Sequence, residues 1–261
     1  MLQGRMPDAV NSGPNAQVLS TIMSSLDDSL QARMAAVRER IAAAARAAGR
    51  DPAAVRLLAV TKTFGADVVA AAARCGQAEF GENYVQEAVD KIEAVGRLAP
   101  DVAIDWHFIG PIQSNKTRQI ARHFSWIQSI DRLSVAERLS AQRPAGAAPL
   151  QVLLQVNISA EDTKSGCAPD AVPALAAAVA RLPHLELRGL MAIPAPRPDP
   201  QAMRPDFARM RALFEGLRET LRGAHRAIDT LSMGMSADLE AAIAEGSTMV
   251  RVGTAIFGAR S

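Results

Sequence analysis

Cysteine and long apolar runs are scarce in this 261-residue chain, and each scarcity argues against a class of protein. The two cysteines, Cys75 and Cys167, lie far apart and in no Cys-x-x-Cys or Cys-x-x-His spacing. This pattern argues against a disulfide framework and against a zinc site, so no metal is predicted. Two reduced thiols are typical of a cytoplasmic protein. No apolar stretch approaches the ~18 residues that a membrane-spanning helix requires.

A strong charge of either sign is also missing. The chain carries 29 basic and 27 acidic residues, a formal net charge of +2, and its basic residues are scattered. They form no stripe interleaved with aromatic residues, so nucleic acid is not an expected partner. The first 15 residues are rich in Gly, Pro, Asn and Asp and contain no apolar segment followed by a cleavage site. Residues 1–20 are therefore expected to form a disordered extension.

What the sequence does contain is a regular alternation of elements. Apolar residues at helical spacing predict an amphipathic helix over residues 22–48, which Gly49 and Pro52 end. After it, short apolar runs predict eight strands, at 56–61, 79–81, 106–109, 126–130, 152–158, 187–193, 230–233 and 249–256. The second and seventh runs are weak and are included because they fit the regular alternation of strands and helices. Helical stretches lie between them, at 66–75, 85–95, 115–123, 133–142, 171–181, 203–221 and 237–244.

This alternation predicts the fold. Strands that alternate with helices indicate βαβ units and a parallel sheet. Eight of them are the signature of a (β/α)8 TIM barrel, here one domain over residues 21–261. An open doubly wound sheet is the alternative, but no Gly-rich dinucleotide loop follows the first strand. The chain stops almost directly after the eighth strand, so the extra N-terminal helix is expected to take the place of an eighth helix.

Polar and small residues concentrate where the predicted strands end, which in a barrel is where the active site lies. Lys62 follows the first strand. A lysine that faces an apolar pocket has its pKa lowered by desolvation, and a neutral amine can attack an aldehyde to form a Schiff base. The alternative is a lysine whose ammonium group simply reaches solvent at the mouth of the barrel.

The last two strands end in loops suited to an anion. Residues 232–236 read Ser-Met-Gly-Met-Ser before a helix, whose first N–H groups attract anions, and Gly234 allows close approach of a ligand. Gly253 and Thr254 form a second small loop. Barrels often bind phosphate in these two loops, although two ordinary turns capped by Ser and Thr are the alternative. Together with Lys62, the two loops favour a phosphorylated aldehyde as ligand.

Arg251 lies within the eighth strand, two residues before Gly253. It is either a salt-bridged arginine of the core or a donor to the pyridine nitrogen of the cofactor. Because a guanidinium group stays protonated, the second interpretation keeps that nitrogen unprotonated and makes the ring a weak electron sink. Carbanion chemistry at such a cofactor would be poorly supported.

Several segments of the chain resemble the pyridoxal-phosphate homeostasis proteins, the YggS/PROSC family. They read LLAVTKT (57–63), FGENYVQE (80–87), WHFIGPIQSNK (106–116), LM (190–191), LSMGMS (231–236) and VRVGTAIFG (250–258). Their order and spacing agree with that family over about residues 56–259. The chain departs from the family pattern at Phe64, Gln128 and Ala237, where a proline, a histidine and an acidic residue are common.

The resemblance implies a single-domain barrel like the N-terminal domain of alanine racemase, with pyridoxal 5′-phosphate as cofactor. It implies that Lys62 carries the cofactor as a Schiff base and that Arg251 faces the ring nitrogen. It also implies that Asn83 lies near Lys62 and the ring of the cofactor. It also places the phosphate among Ser232, Ser236, Gly253 and Thr254. The predicted cofactor-binding residues are Lys62, Asn83, Ser232, Met233, Gly234, Ser236, Arg251, Gly253 and Thr254.

Whether the chain is an enzyme or a carrier depends on a second base. The family is implicated in buffering, protecting and supplying the cofactor, so no residue is assigned a catalytic role. A racemase needs two bases, one on each face of the substrate. The chain has one tyrosine, Tyr84, and lacks room for the second domain that contributes a base in the true racemases. His107 is a possible base, but a hydrogen-bonded structural histidine fits its position better.

Three functional hypotheses follow from these residues. A cofactor homeostasis protein is the leading one, with pyridoxal-phosphate-dependent apo-enzymes as partners and a monomeric state expected. A weak amino-acid racemase is the second. A Schiff-base aldolase that uses its lysine without any cofactor is the third, and it predicts no bound pyridoxal phosphate.

Overall fold

The computed structural model describes residues 14–159, 165–195, 197–222 and 228–258, with side chains from residue 28 onwards. In these ranges eight parallel strands close into one barrel in sequence order. The strands are β1 Arg56–Val60, β2 Glu79–Glu82, β3 Asp105–Phe108, β4 Trp126–Ile130, β5 Leu150–Val156, β6 Leu185–Ala192, β7 Thr230–Met235 and β8 Met249–Val252. The predicted barrel is confirmed, because pairing of Leu58 in β1 with Arg251 in β8 closes the sheet and excludes the doubly wound alternative.

Helices cover the outside of the barrel. They are α1 Pro14–Ala47, α2 Ala66–Arg74, α3 Val85–Leu98, α4 Thr117–His123, α5 Leu133–Gln142, α6 Val172–Val179, α7 Arg204–Thr220, α8 Leu239–Ala244 and α9 Thr254–Phe257. Short 3-10 turns lie at Pro52–Ala54, Pro169–Ala171 and Pro200–Met203. Helix α1 packs against both α2 and α8, so it completes the ring of helices as predicted. None of the described helices combines the length and the apolar character needed to cross a bilayer.

Both ends of the chain differ from the sequence prediction. The eighth strand was expected to continue to residue 256, but β8 ends at Val252 and the next residues form the short helix α9. A short apolar run does not distinguish a strand from a turn of helix, which explains the error. Helix α1 starts at Pro14, well before residue 22, and proline is favoured in a first helical turn. Residues 1–13 of the predicted extension lie outside the described residues.

The strands are buried on both faces, inside the barrel and against the helices. In β4, for example, all five residues are buried. The apolar core forms one large continuous cluster, and Trp126, Leu153 and Met191 form a second cluster. Because all the strands are parallel, their carboxyl ends meet at one mouth of the barrel. The residues that follow β1, β2, β7 and β8 are therefore brought together there.

Candidate functional site

A pocket of about 270 Å³ lies at this mouth. Six of the nine predicted cofactor-binding residues line it: Lys62, Asn83, Ser236, Arg251, Gly253 and Thr254. Two larger openings lie elsewhere, a groove of about 480 Å³ between α6 and α7 and a cleft of about 590 Å³ where β1 and β2 begin. Neither contains a predicted cofactor-binding residue. The chemistry of the lining, and not the volume, therefore identifies the mouth pocket as the candidate site.

Lys62 is half-buried and reaches the pocket from the turn that follows β1. A hydrogen bond from the Phe64 N–H to the Thr61 carbonyl, 3.1 Å long, closes this turn. Thr63 has a φ of 71°, in the left-handed region that a β-branched residue rarely occupies. Such a conformation costs about 1–3 kcal/mol and persists only when its surroundings hold it.

A buried polar network holds Thr63 in this conformation. Lys91 donates to the carboxylates of Glu82 at 2.7 Å and Glu87 at 2.9 Å. It also donates to the Thr61 carbonyl at 2.8 Å, and the Thr61 hydroxyl donates to Glu82 at 2.7 Å. The Thr63 N–H donates to Glu87 at 2.7 Å. Both sequence neighbours of the pocket lysine are thereby fixed.

The two carboxylates of this network respond differently to their surroundings. Burial raises the pKa of Glu82, although Lys91 and the Thr61 hydroxyl limit the rise. Burial acts to raise the pKa of Glu87 as well, but hydrogen bonds from Lys91 and the Thr63 N–H lower it overall. The more deeply buried Glu82 therefore depends more strongly on its cation.

Arg251 lies in β8, lines the pocket and is almost fully buried. Its Nη1 donates to both the carbonyl and the hydroxyl of Ser232 at 2.8 Å, and Nη2 donates to the Ala192 carbonyl at 2.8 Å. Burial lowers the pKa of Arg251 to about 10, while the nearby Asp238 acts to raise it. The group therefore remains protonated at neutral pH and serves as a fixed donor in the pocket wall.

Three of the predicted residues lie behind the pocket wall. Ser232 and Met233 are fully buried, and the Ser232 hydroxyl donates to Gln128 Oε1 at 2.7 Å, so it is already engaged inside the barrel. Gly234 has a φ of 93°, and a Cβ at this position would lie 2.5 Å from the Cβ of Ala242. The missing side chain of Gly234 therefore allows helix α8 to pack closely against β7, whereas the sequence predicted the close approach of a ligand.

Asn83 follows β2 and contributes a buried acceptor to the pocket. Its Oδ1 has no hydrogen-bond partner among the described residues. Its backbone is held close to Gly110, where a Cβ would lie only 2.1 Å from the Asn83 carbonyl oxygen. An unsatisfied buried acceptor costs about 1–3 kcal/mol, so the position suits a donor on a bound molecule.

The loops after β7 and β8 are fastened to the N-terminal helix. Arg40 in α1 donates to the Ser236 carbonyl at 3.1 Å. Arg33 lies two turns earlier on the same face of α1 and donates through Nε to the Ile256 carbonyl in α9. Helix α1 therefore does more than complete the ring, because it also positions the two loops that carry Ser236 and Thr254.

Neither residue considered as a second base lines the pocket. Tyr84 is 59% exposed and lies outside the pocket wall. His107 is fully buried, with Nδ1 2.9 Å from Gln128 Nε2 and its ring stacked on Trp126 at 5.0 Å. Burial lowers the pKa of His107 well below its ordinary value, and Arg56 lowers it further. His107 is therefore a neutral, hydrogen-bonded histidine of the barrel interior.

Sequence reasoning missed the supporting residues Glu82, Lys91 and Gln128. Lys91 follows Glu87 by four residues on α3, a spacing that favours an ion pair and could have indicated the network. Gln128 is a polar residue in the middle of a buried strand, and buried polar groups need partners. The spacing on α3 does not reveal that Lys91 also binds Glu82 and Thr61. The buried Gln128 does not reveal that its partners are Ser232 and His107, because these residues come from other strands.

Known proteins share this sequence and fold. Residues 33–261 match the family described as "Alanine racemase, N-terminal domain". A relative from Pseudomonas aeruginosa, named pyridoxal phosphate homeostasis protein, is 59% identical over 227 residues, which cover 87% of this chain and 94% of the relative.

Solved structures extend the comparison. PipY from Synechococcus elongatus, solved with PLP bound, is 33% identical with a TM-score of 0.74, over 88% of this chain and all of PipY. Alanine racemase from Corynebacterium glutamicum is 18% identical with a TM-score of 0.61, over 89% of this chain and 62% of the racemase, so it shares the fold alone. The chain belongs to the pyridoxal phosphate homeostasis protein family, within the larger family of alanine racemase N-terminal domains.

Proposed function

We propose that this chain binds pyridoxal 5′-phosphate as a Schiff base on Lys62 and acts in the homeostasis of that cofactor. Homeostasis means buffering the reactive aldehyde, protecting it and delivering it to enzymes that use it. The observation that carries the proposal is the convergence of Lys62, Asn83 and Arg251 on one pocket. The name of the Pseudomonas relative and the PLP bound to PipY support the choice of ligand.

The pocket residues fit the chemical groups of this cofactor. Lys62 supplies the amine, Arg251 a charged donor for the ring nitrogen, and Asn83 Oδ1 a buried acceptor. The loops after β7 and β8 supply donors for the phosphate from Ser236, Gly253 and Thr254, as barrels often do in these positions. When bound, pyridoxal phosphate supplies an electrophilic carbon and an electron-withdrawing ring.

Arg251 favours carriage over catalysis. A guanidinium group only donates hydrogen bonds, so it leaves the nitrogen that it faces unprotonated. The pKa of about 10 keeps Arg251 in this state at neutral pH. An unprotonated ring withdraws electrons weakly, which suits a protein that holds the cofactor without turning over amino acids.

A weak amino-acid racemase is the second candidate, because the barrel shares the fold of alanine racemase. Racemisation needs a base on each face of the substrate. Lys62 could be one of them. His107 is buried behind the pocket and neutral, and Tyr84 lies outside the wall, so neither is suited to be the other.

Delivery to pyridoxal-phosphate-dependent apo-enzymes, a monomeric state and a cytoplasmic location are parts of the same proposal. The pocket is at the protein surface, and two large apolar side chains at its rim, Ile193 and Met235, are exposed. They offer contact surface to a protein that receives the cofactor. The free thiols Cys75 and Cys167 suit a reducing compartment.

The visible absorbance spectrum of the protein incubated with pyridoxal phosphate tests the proposal. The parent is expected to develop a yellow band that borohydride reduction converts to a stable adduct, and Lys62→Ala is expected to lose both. The chain has only four lysines, so peptide mass analysis after reduction can assign the label to Lys62. Lys116→Ala, which changes a lysine outside the pocket, is the matched control.

Three results separate the candidate functions. A colourless parent that takes up no cofactor would refute cofactor binding and favour the aldolase. Exchange of the alanine Cα proton with solvent deuterium, at a steady rate that Lys62→Ala abolishes, would favour the racemase. Uptake without exchange, followed by reactivation of an added apo-enzyme faster than free cofactor release allows, supports homeostasis.

A further inference from the structure

Four polar side chains form a continuous series of hydrogen bonds inside the barrel, behind the pocket. Arg251 Nη1 donates to the Ser232 hydroxyl at 2.8 Å, and that hydroxyl lies 2.7 Å from Gln128 Oε1. Gln128 Nε2 in turn lies 2.9 Å from His107 Nδ1. All four residues are buried. This relay, formed by Arg251, Ser232, Gln128 and His107, connects the pocket wall to the centre of the barrel.

The donors and acceptors along the relay give it one direction. A guanidinium group has only donors, so the Ser232 hydroxyl accepts from Arg251, and the Gln128 amide is oriented so that its Oε1 accepts the proton of this hydroxyl. The amide nitrogen of Gln128 then faces His107 and donates to Nδ1. A neutral imidazole that accepts at Nδ1 carries its proton on Nε2, which has no hydrogen-bond partner among the described residues and lies 4.0 Å from Glu79 Oε1.

The charges around His107 keep this tautomer neutral. Arg56 approaches from β1 and Glu79 from β2, where Glu79 lies 4.0 Å from His107 Nε2. Arg56 pairs with Glu79 at 2.7 Å and so offsets the carboxylate, beside which Asp105 adds a further negative charge. On the β4 side the ring stacks on the uncharged Trp126 and contacts the Gln128 amide. His107, the last residue of the relay, therefore stays uncharged near neutral pH.

We propose that Gln128 is a positioning residue for the bound cofactor, because it holds Ser232 and thereby orients Arg251 toward the ring nitrogen. This inference rests on the proposed function, in which the ring faces Arg251. An amide accepts at one end, donates at the other and does not titrate. Its second N–H lies 3.1 Å from Met249 Sδ, so both ends of the side chain have partners.

Nuclear magnetic resonance of the cofactor-free protein, labelled with 15N-histidine, tests the direction of the relay. The chain has four histidines, and His107→Asn assigns the signal of interest. His107 is expected to appear as the Nε2–H tautomer, with shifts that stay constant through its ordinary pKa near 6.5. A proton on Nδ1, or titration near 6.5, would overturn the proposed direction. This measurement needs neither cofactor nor a substitution in the relay.

Gln128→Glu tests the positioning role. A carboxylate still accepts from Ser232 but cannot donate to His107 Nδ1, so His107 is expected to move its proton to Nδ1. The visible band and the ring 15N shift of the bound cofactor are expected to move, with retention weakened about three- to tenfold. Gln128→His, which has one donor and one acceptor when neutral, is expected to restore the parent band at pH 8.

Ser129→Ala is the matched control, since Ser129 adjoins Gln128 in β4 and its hydroxyl has no partner in the described part of the chain. It is expected to keep the parent band. The proposal is overturned if Gln128→Glu keeps the parent band and ring-nitrogen shift, because a merely structural role would alter the unfolding midpoint alone. Borohydride labelling of Lys62 in each variant reports cofactor binding separately. Loss of labelling in the parent defeats the proposed function, whereas a shifted band with intact labelling supports both.

Discussion

The two ends of the barrel hold their arginines with different partners. Where the strands begin, Arg56 pairs with the carboxylate of Glu79 at 2.7 Å, and Arg188 pairs with Asp229. At the mouth, the Nη atoms of Arg251 donate to carbonyl and hydroxyl oxygens at 2.8 Å. The first arrangement neutralises a cation, and the second only orients it.

This difference separates a structural end from a functional end. The two opposite charges of an ion pair largely cancel each other's field, whereas a cation held by neutral oxygens still exerts its field on whatever occupies the pocket. Burial without such a pair is unfavourable, and the lowered pKa of Arg251, about 10, records that cost. Keeping a positive group available for a ligand at the mouth therefore lowers the free energy of unfolding.

The network beside Lys62 does not follow this division, since it lies at the mouth but pairs its cation, Lys91, with two carboxylates. Lys91→Met leaves Glu82 buried without its cation and is expected to lower the free energy of unfolding by about 3–5 kcal/mol. Urea denaturation measures this change. Cofactor uptake is also expected to fall, because Lys91 holds the Thr61 carbonyl beside Lys62.

A double variant tests the cause of that loss. Glu82→Gln combined with Lys91→Met removes both charges, so it is expected to recover most of the lost stability. Lys116→Met, at a half-buried lysine outside the network, is expected to change stability by less than about 0.5 kcal/mol. A Lys91→Met protein as stable as the parent would show that the pair does not hold this end of the barrel.

A matched pair of arginine substitutions sharpens the comparison of the two ends. Arg251→Gln removes the charged donor at the mouth and is expected to weaken cofactor retention about 10- to 100-fold, measured by dialysis and absorbance. Arg188→Gln makes the same change at the other end and is expected to cost about 1 kcal/mol of stability, with retention unchanged. If Arg188→Gln weakened cofactor retention and Arg251→Gln did not, the division into structural and functional ends would be contradicted.

A smaller effect is expected from the link between α1 and the mouth. Arg40→Ala removes the donor to the Ser236 carbonyl and the ion pair with Glu240. The variant is expected to have a free energy of unfolding lower by about 0.5–1 kcal/mol, because one such contact contributes ~1 kcal/mol or less. Cofactor release is expected to become about two- to fivefold faster. Arg46→Ala, which breaks an exposed pair with Glu39 on the same helix, is the control and is expected to leave release unchanged.

The smallest expected effect is a pH dependence at the structural end. Burial raises the pKa of Glu79 above 4.5, and Asp105 raises it further, while Arg56 opposes the rise. The folded state therefore binds this proton more tightly than the unfolded chain does. Stability falls as pH rises through the window that starts near 4.5 and ends at the raised pKa.

Glu79→Gln removes this contribution. The unfolding free energy of the variant is expected to decline less than that of the parent across the same window, by under about 1 kcal/mol in total. Urea denaturation from pH 4.5 to 7 measures the two slopes, with Glu240→Gln as a control at an exposed carboxylate. Parallel slopes for parent and Glu79→Gln would show that Glu79 titrates alike in both states.

The barrel and the pocket lysine were predictable because both depend on order along the chain. Regular alternation of apolar runs indicates parallel strands, and a polar residue after such a strand must lie at the mouth. Lys62 was located in this way, whereas Arg251 lies within its strand and Asn83 was assigned to the site from the family resemblance. The end of β8 was not predicted, because residues 255–257 are apolar and too few to show a period.

Contacts across the barrel could not be predicted from the sequence. Ser232 was expected at the phosphate, but its hydroxyl bonds to Gln128, which comes from β4 on the other side of the interior. Strand order alone does not tell which inward side chains meet in the middle. Gly234 illustrates the same difficulty, since its positive φ serves the packing of Ala242 in α8. Its backbone conformation could be anticipated, but the reason for it could not.

The pairing of β1 with β8 also has a consequence for the order of folding. Leu58 pairs with Arg251, so the strand that precedes the pocket lysine and the strand that carries its arginine come from opposite ends of the sequence. Contacts of such long sequence separation form late. During synthesis, the amine of Lys62 therefore emerges long before the arginine and loops that complete its pocket. A stalled or truncated chain has the reactive group without the means to hold its ligand, so cofactor capture reports that the barrel has closed.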